Sequence, residues 1–192
     1  MNLREEAVSA GFADRSMLAE LNDEAFPPEE RLPADLLLSA SEDGKLLTTA
    51  LYEGGRFVGF YTVRESTEAV YLCYLAVSPG SRGHGIGSEA LRRMRERFAG
   101  RQIVLDLERT DVPAANSRQR ASRLRFYKRS GFFETGYYLR YLGLDLALLC
   151  SEPHFEAAAF RRLLDAIDAP GVDFILSRDP WPHQKNGISV TQ

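Results

Sequence analysis

The stretch "LAVSPGSRGHGIGSEAL", residues 75–91, decides how this chain is read. An apolar strand end passes into a loop holding Gly80, Gly83, Gly85 and Gly87, and a helix follows at once. The first N–H groups of a helix have no partner within it, and the helix dipole puts partial positive charge at the same end. Glycines let an anion approach that backbone closely. The loop therefore reads as a phosphate cradle, with Arg82 as a charge partner. A tight turn that needs positive φ is the simpler alternative.

The surrounding sequence divides into clear elements. "SEALRRMRERFAG" (residues 88–100) is a helix with Ser88 as cap and Glu89 near its positive end. Leu91, Met94 and Phe98 form its buried stripe, and Gly100 follows its end. "AVYLCYLAV", just before the loop, is too apolar for a strand with one wet face, which places it centrally. "QIVLDLE" (Gln102–Glu108) is the next strand, so strand, helix and strand make one β-α-β crossover.

Upstream, "LLTTALYEGGRFVGFYTVRES" is a hairpin around "EGG". Two helices precede it: "SMLAELNDEAF", capped by Ser16, and "PADLLLSASEDG", ending near Gly44. The prolines of "FPPEERLP" separate them. Downstream come a helix, "ASRLRFYKRSGF", stopping at Gly131, and two strands in "FETGYYLRYLGLDLALLC", turning near Gly143. "HFEAAAFRRLLDAI" is a last amphipathic helix with Phe155, Ala159, Leu163 and Ile167 on one face. The expected fold class is α/β (α+β): a mixed, mostly antiparallel central sheet of about six to seven strands flanked by helices. The main domain is expected over residues 1–150, an appended helix and short segment over 151–176, and a mobile tail over 177–192.

Composition narrows the function. The chain has 192 residues, 44% of them hydrophobic, enough for one sizeable core. No apolar run approaches the roughly 18–20 residues of a membrane span. The start, "MNLREEAVSAGF", has no apolar signal region. No membrane partner is expected. Cys73 and Cys150 lie in apolar, strand-like runs and read as buried free thiols, so the expected compartment is the cytoplasm. A net charge of −3 argues against a nucleic-acid partner. Residues 82–129 nevertheless carry thirteen Arg and Lys against five Asp and Glu. That segment either meets an anionic partner or forms a solvated Arg-rich face. Monomer and homodimer both remain open. No His/Cys spacing resembles a zinc site, no metal is expected, and no G-x-S-x-G elbow is present.

Three phosphate-binding designs compete for the loop. A P-loop requires a Lys after its glycines, and none follows here. The dinucleotide fingerprint G-x-G-x-x-G matches Gly83 and Gly85, but its third glycine falls at Ser88. Glu108 lies near the place of its ribose-binding carboxylate. However, "SPGSR" separates the strand from these glycines, and only one β-α-β unit is present. The third design fits best. "RGHGIG" after "LAVSP" resembles the R/Q-x-x-G-x-G/A motif of the Gcn5-related N-acetyltransferase (GNAT) superfamily, which binds the pyrophosphate of acetyl-CoA. "AFPPEER" with "FFETGYYLRYLG" is similar to a group of small, uncharacterised bacterial acetyltransferases. This resemblance implies that the backbone of Leu75, Ala76 and Val77 pairs with the pantetheine arm. It also implies that the amides of Arg82, Gly83, His84, Gly85, Ile86, Gly87 and Ser88 take the pyrophosphate.

A second block, "RLRFYKRSGF", resembles the superfamily's helix end. Tyr127 matches its tyrosine, with Gly131 and Phe132 four and five residues beyond. The resemblance makes Tyr127 a coenzyme contact and a general acid at the sulfur; a core aromatic is the alternative. Where the superfamily often has Asn, seven residues before the tyrosine, this chain has Arg120, and Asn116 lies further back. A tyrosine near pKa ~10 donates a proton to a thiolate near ~8.5 only uphill. Either nearby cations lower its pKa or it mainly hydrogen-bonds the sulfur.

An alkyl amine near pKa ~10.4 must lose a proton before it attacks a thioester. Asp106 and Glu108 lie two apart on one strand and are the candidate bases, since a carboxylate on this strand often does that work in the superfamily. A solvated acidic strand end, or pairing with Arg109, is the alternative. Tyr74 and Glu65 are weaker candidates. His84 reads as a solvent-facing residue or a phosphate neighbour. Glu29, Glu30 and Glu134 are possible amine attractors, and "FPPEERLP" and "GYYLRYLG" possible pocket walls.

The leading expectation is an acetyl-CoA-dependent N-acetyltransferase acting on a primary amine in a ternary complex. The alternatives are a non-catalytic acyl-CoA-binding module and, more weakly, a nicotinamide-nucleotide protein.

Overall fold

The computed structural model describes residues 2–28 and 30–181. One eight-stranded sheet runs through it. Its strands are β1 (Leu3–Ala7), β2 (Leu47–Glu53), β3 (Arg56–Glu65), β4 (Ala69–Val77), β5 (Gln102–Glu108), β6 (Phe133–Tyr141), β7 (Leu144–Cys150) and β8 (Ile175–Ser177). Their order in space is β1-β2-β3-β4-β5-β7-β6-β8. Only the β4–β5 pair is parallel, bridged by helix α3 (Ile86–Arg97). The sheet is mixed and mostly antiparallel, as expected. Its two extra strands, β1 and β8, are short edges. In β1 only Leu3 is buried, so the alternation that marks a strand is faint in its sequence.

Helices cover both faces. Helix α3 buries Leu91, Met94 and Phe98 in a cluster with β3, β4 and β5 residues. Helices α1 (Arg15–Ala25) and α2 (Ala34–Glu42) cover the first strands with Leu18, Leu21, Leu37 and Leu38. Helix α5 (Ala157–Asp165) packs on β4 through Phe160, Leu163 and Leu164. Two expected caps are corrected. Helix α1 starts at Arg15 with Asp14 before it, so Ser16 lies inside it. Helix α3 starts at Ile86 with Gly85 at its cap, which puts Ser88 in its first turn. Helix α4 (Ser117–Arg129) begins four residues earlier than its apolar pattern shows, because its first turn is polar.

Two features of β4 open the sheet. It pairs with β5 only where Ala69, Val70 and Tyr71 face Gln102, Ile103 and Val104. Against β3 it carries one extra residue, Cys73, between the partners of Val63 and Thr62. Such a bulge bends a strand and increases its twist. From Leu72 onward β4 therefore leaves β5, and its backbone edge on that side has no strand partner.

Residues 177–181 of the expected tail are described and held by the core. Arg178 donates to the Tyr137 hydroxyl at 2.7 Å, and buried Arg109 donates to the Trp181 carbonyl at 3.1 Å. Residues 182–192 lie outside the described residues.

Candidate active site

The gap between β4 and β5 forms a cleft of about 920 Å³. On one side stand Leu72, Tyr74, Leu75 and Val77; on the other, Asp106, Glu108 and Tyr127. The cradle loop lies where β4 ends. Gly83 and Gly85 have φ of 80° and 84°, the left-handed region that glycine adopts without steric cost. Alternating conformations of this kind turn successive N–H groups the same way. Among the described residues, no protein group accepts a hydrogen bond from the N–H groups of residues 83–88.

The other glycines have different roles. A Cβ on Gly87 would meet the Phe126 ring at 3.1 Å, so that glycine lets α3 and α4 approach each other. Gly80 has open space around it and an ordinary φ.

The side chain of Arg82 is engaged with protein. Its Nε donates to the Val77 carbonyl at 2.8 Å, and its guanidinium pairs with Glu24 at 2.6 Å. It fastens the loop to α1 rather than standing free for a phosphate. Its own N–H reaches the Pro79 carbonyl at 3.3 Å. His84 and Ser88 are exposed, and Ile86 is buried. Much of the basic bias is also absorbed internally. Glu89 holds Arg92 and Arg93, Arg95 donates to the Gly131 and Ser151 carbonyls, and Glu65 holds Arg101.

Tyr127 is placed by the end of α4. The Phe132 N–H returns to the Tyr127 carbonyl at 3.1 Å, and the Gly131 N–H to that of Lys128 at 3.2 Å. This Schellman closure needs Gly131 in its left-handed conformation, φ 85°. The Tyr127 ring packs edge-on against Phe126 and Phe132, at 4.9 and 5.8 Å between centroids. Its hydroxyl has no hydrogen-bond partner among the described residues and lines the cleft. Burial raises its pKa, Arg123 opposes that shift, and Asp106 adds to it. Lys128 is spent on Glu134, at 2.7 Å. Of the two alternatives left open by the sequence, a pKa lowered by nearby cations does not hold: burial outweighs Arg123, and the phenol stays protonated.

The two candidate carboxylates have different surroundings. Both oxygens of Glu108 are occupied: Oε1 by Asn116 at 2.9 Å and Arg120 at 3.1 Å, Oε2 by Arg123. Arg120, which stands where the superfamily often has Asn, thus ties α4 to β5. Asp106 sits in the cleft, where Tyr71 and Tyr141 (at 3.3 Å) both donate their hydroxyls to Oδ2. Oδ1 is left without a side-chain donor. Burial lifts the Asp106 carboxyl to about 6, against the pull of the two hydroxyls.

Tyr74 donates to the Glu30 carbonyl at 3.3 Å and accepts from the Leu32 N–H at 3.1 Å, so it pins the α1–α2 loop over the cleft. Burial pushes its pKa up to about 12. The buried Asn22 amide holds the same loop through the Leu32 carbonyl at 2.9 Å. Glu65, paired with Arg101, does not line the cleft, nor does Glu134. Glu30 lines it. Glu29 lies outside the described residues. Sequence reasoning missed Tyr71, hidden within an apolar run, and named Tyr141 only as part of a pocket wall.

A family model described as "Acetyltransferase (GNAT) family" matches residues 15–132. The chain belongs to the GNAT acetyltransferase family. No curated protein matches it. Among solved structures it is similar to a protein from Bacteroides thetaiotaomicron assigned as a GNAT-family acetyltransferase. That likeness has 24% identity and a TM-score of 0.70, and covers 85% of this chain and 97% of the other. It is also similar to a GNAT acetyltransferase from Elizabethkingia anophelis with acetyl-CoA bound, at 17% identity and TM-score 0.54, covering 78% and 97%. A third is the PaiA N-acetyltransferase from Thermoplasma acidophilum in complex with coenzyme A, at 16% identity and TM-score 0.58, covering 78% and 98%. These likenesses establish a GNAT fold. No group of His, Cys, Asp or Glu among the described residues is arranged to hold a metal ion, and no described helix is long and apolar enough to cross a membrane.

Proposed function

We propose that this protein transfers the acetyl group of acetyl-CoA to a primary amine by direct attack within a ternary complex. One observation carries the proposal. The bare edge of β4, Tyr127 and Asp106 line a single cleft, and the loop that follows β4 adds six successive unpartnered N–H groups just beyond its Arg82 rim.

The N–H groups of residues 83–88 are suited to the pyrophosphate, and the unpaired edge at Leu75, Ala76 and Val77 to the amides of the pantetheine arm. A β4 N–H near the thioester stabilises the oxyanion as the amine nitrogen adds to the carbonyl carbon. The C–N bond forms, and the nitrogen becomes more acidic as its electron pair is shared. Asp106 takes its proton. The C–S bond then breaks, with the Tyr127 hydroxyl hydrogen-bonded to the departing sulfur. The acceptor ammonium gives up two protons in all, one before attack and one to Asp106, and the departing thiolate takes one up from solvent, so amide and free thiol form with a net release of one proton. The positions 1–150 form the catalytic domain in this proposal, with 151–176 as an addition to it.

The test is thiol release from acetyl-CoA against a panel of primary amines, beside calorimetric titration with CoA and with NADH. Acetylation of an amine, with CoA bound and NADH not, is expected. CoA binding without turnover on a broad panel favours a non-catalytic acyl-CoA-binding protein. NADH binding in place of CoA overturns both readings.

A further inference from the structure

A second chamber, of about 470 Å³, lies behind the cleft and shares Cys73, Tyr74 and Tyr141 with it. Its walls are mostly apolar: Leu32, Leu46, Tyr71, Tyr141, Val172 and Phe174. Its size suits a small organic group. Tyr141 is the partition. Its hydroxyl reaches Asp106 at 3.3 Å, while its ring leans on Phe174 with centroids 5.2 Å apart. Asp106 lines the cleft and not the chamber, so an occupant of the chamber reaches that carboxylate by extending past Tyr141 across the rim the two spaces share.

Much of this wall lies outside the family-matched residues 15–132: Tyr141, Leu142, Ile167, Val172 and Phe174. The far wall is fastened in place. Arg64 donates to the Lys45 carbonyl and, at 3.1 Å, to that of Ala166; Arg161 donates to the Phe174 carbonyl at 2.9 Å.

Two observations indicate what the chamber takes. The first is charge. Among its described lining residues, Glu30 and Asp168 stand against Arg31, Lys45 and Arg64, so there is no excess of carboxylates to hold a polycation. The second is Leu142, at the tip of the β6–β7 hairpin. It is 61% exposed and has φ of 49°. That turn position favours Asn, Asp or Gly, so a bulky exposed leucine there costs stability for no gain within the fold. Leu142 lines the chamber, and exposed Leu32 lines it too.

We infer that the chamber binds the apolar body of the acceptor, a small primary amine carrying an aromatic or branched aliphatic group, with its amino group directed toward Asp106. This rests on the proposed transfer reaction, and the test separates the two. The CoA-loaded protein is titrated calorimetrically with 2-phenylethylamine and with spermidine, as wild type, Leu142→Asn and Phe174→Ala. Phenylethylamine is expected to bind, and spermidine to bind far more weakly. Leu142→Asn removes one apolar contact and should weaken phenylethylamine about 10-fold. Its melting temperature should be unchanged or higher, which a purely structural role for Leu142 does not give. Absence of phenylethylamine binding, equal or tighter spermidine binding, or unchanged affinity in Leu142→Asn overturns the inference. Thiol release in the same samples reports on the reaction alone. Phenylethylamine bound but never acetylated counts against transfer and leaves the chamber standing. Spermidine acetylated while phenylethylamine fails to bind does the reverse.

Discussion

The two sides of the split sheet are built in opposite ways. The β4–α3 side, assigned to the acyl donor, is one continuous run of chain: the cleft-lining Leu72–Val77 and Arg82, then the loop that leads into α3. Its chemistry is carried by backbone: a bare strand edge and free N–H groups. The opposite side is assembled from β5, α4, the β6–β7 hairpin and the segment around Phe174, and its chemistry is carried by side chains. A backbone site tolerates many side chains but few changes of conformation. A side-chain site depends on which residues distant segments bring together.

The largest expected effect attacks the assembled side. Asp106→Asn should lower kcat about 10²- to 10⁴-fold, the usual contribution of a positioned base. Acetyl-CoA affinity should hold within about two-fold if the two sides are independent. The wild-type kcat/KM should fall as the pH drops through about 6. The same carboxyl affects stability with a definite sign. Its folded pKa is raised from 3.8 to about 6, so the folded state gives up that proton less readily than the unfolded one. The resulting penalty is absent below pH 3.8 and complete above about 6, where it amounts to roughly 3 kcal/mol. Denaturant unfolding at pH 8 should therefore find Asp106→Asn at least as stable as wild type. A variant both inactive and strongly destabilised would make Asp106 a structural residue.

Next is the continuous side. Gly85→Val forces a β-branched residue into φ 84° and turns the N–H array. Calorimetry should show acetyl-CoA affinity down about 10- to 100-fold, the scale of losing 1–3 hydrogen bonds to an anion. Unchanged affinity would show that the cradle is not where the phosphates sit.

A smaller effect is expected at Tyr127→Phe. It should cost about 10-fold in kcat, the value of one hydrogen bond to developing charge. Because burial raises the Tyr127 pKa, wild type and variant should share the same alkaline profile up to about pH 9. A limb near neutrality that disappears in the variant would restore a full proton-donating role. The smallest effect belongs to Arg82→Ala. Its pair with Glu24 is half-exposed, so thermal unfolding should report a loss of about 0.2–1 kcal/mol, with coenzyme affinity nearly intact.

How much of this was legible follows the same division. The cradle, the central placement of β4 and the limits of β5 follow from local pattern, because glycine spacing and apolar runs act on neighbouring residues. Ser88 and Ser16 failed as caps because a serine near a helix start is compatible with several starting residues, and tertiary packing chose among them. Arg82 looked like a phosphate ligand until the fold brought Glu24 to it. Asp106 and Glu108 were indistinguishable along one strand. The approach of α4 occupies one, and the tyrosines of β4 and β6 surround the other.

By itself, then, the sequence determined a glycine-rich loop at the junction of a central strand and a helix, a site suited to a pyrophosphate because it is built from consecutive backbone amides. Only the tertiary structure decided which carboxylate is left to accept a proton and what lies beside it. Those properties depend on burial and on partners 35 residues away, from Tyr71 to Asp106 and from Asp106 to Tyr141. Side-chain contacts over that separation exist only once the sheet has formed and opened.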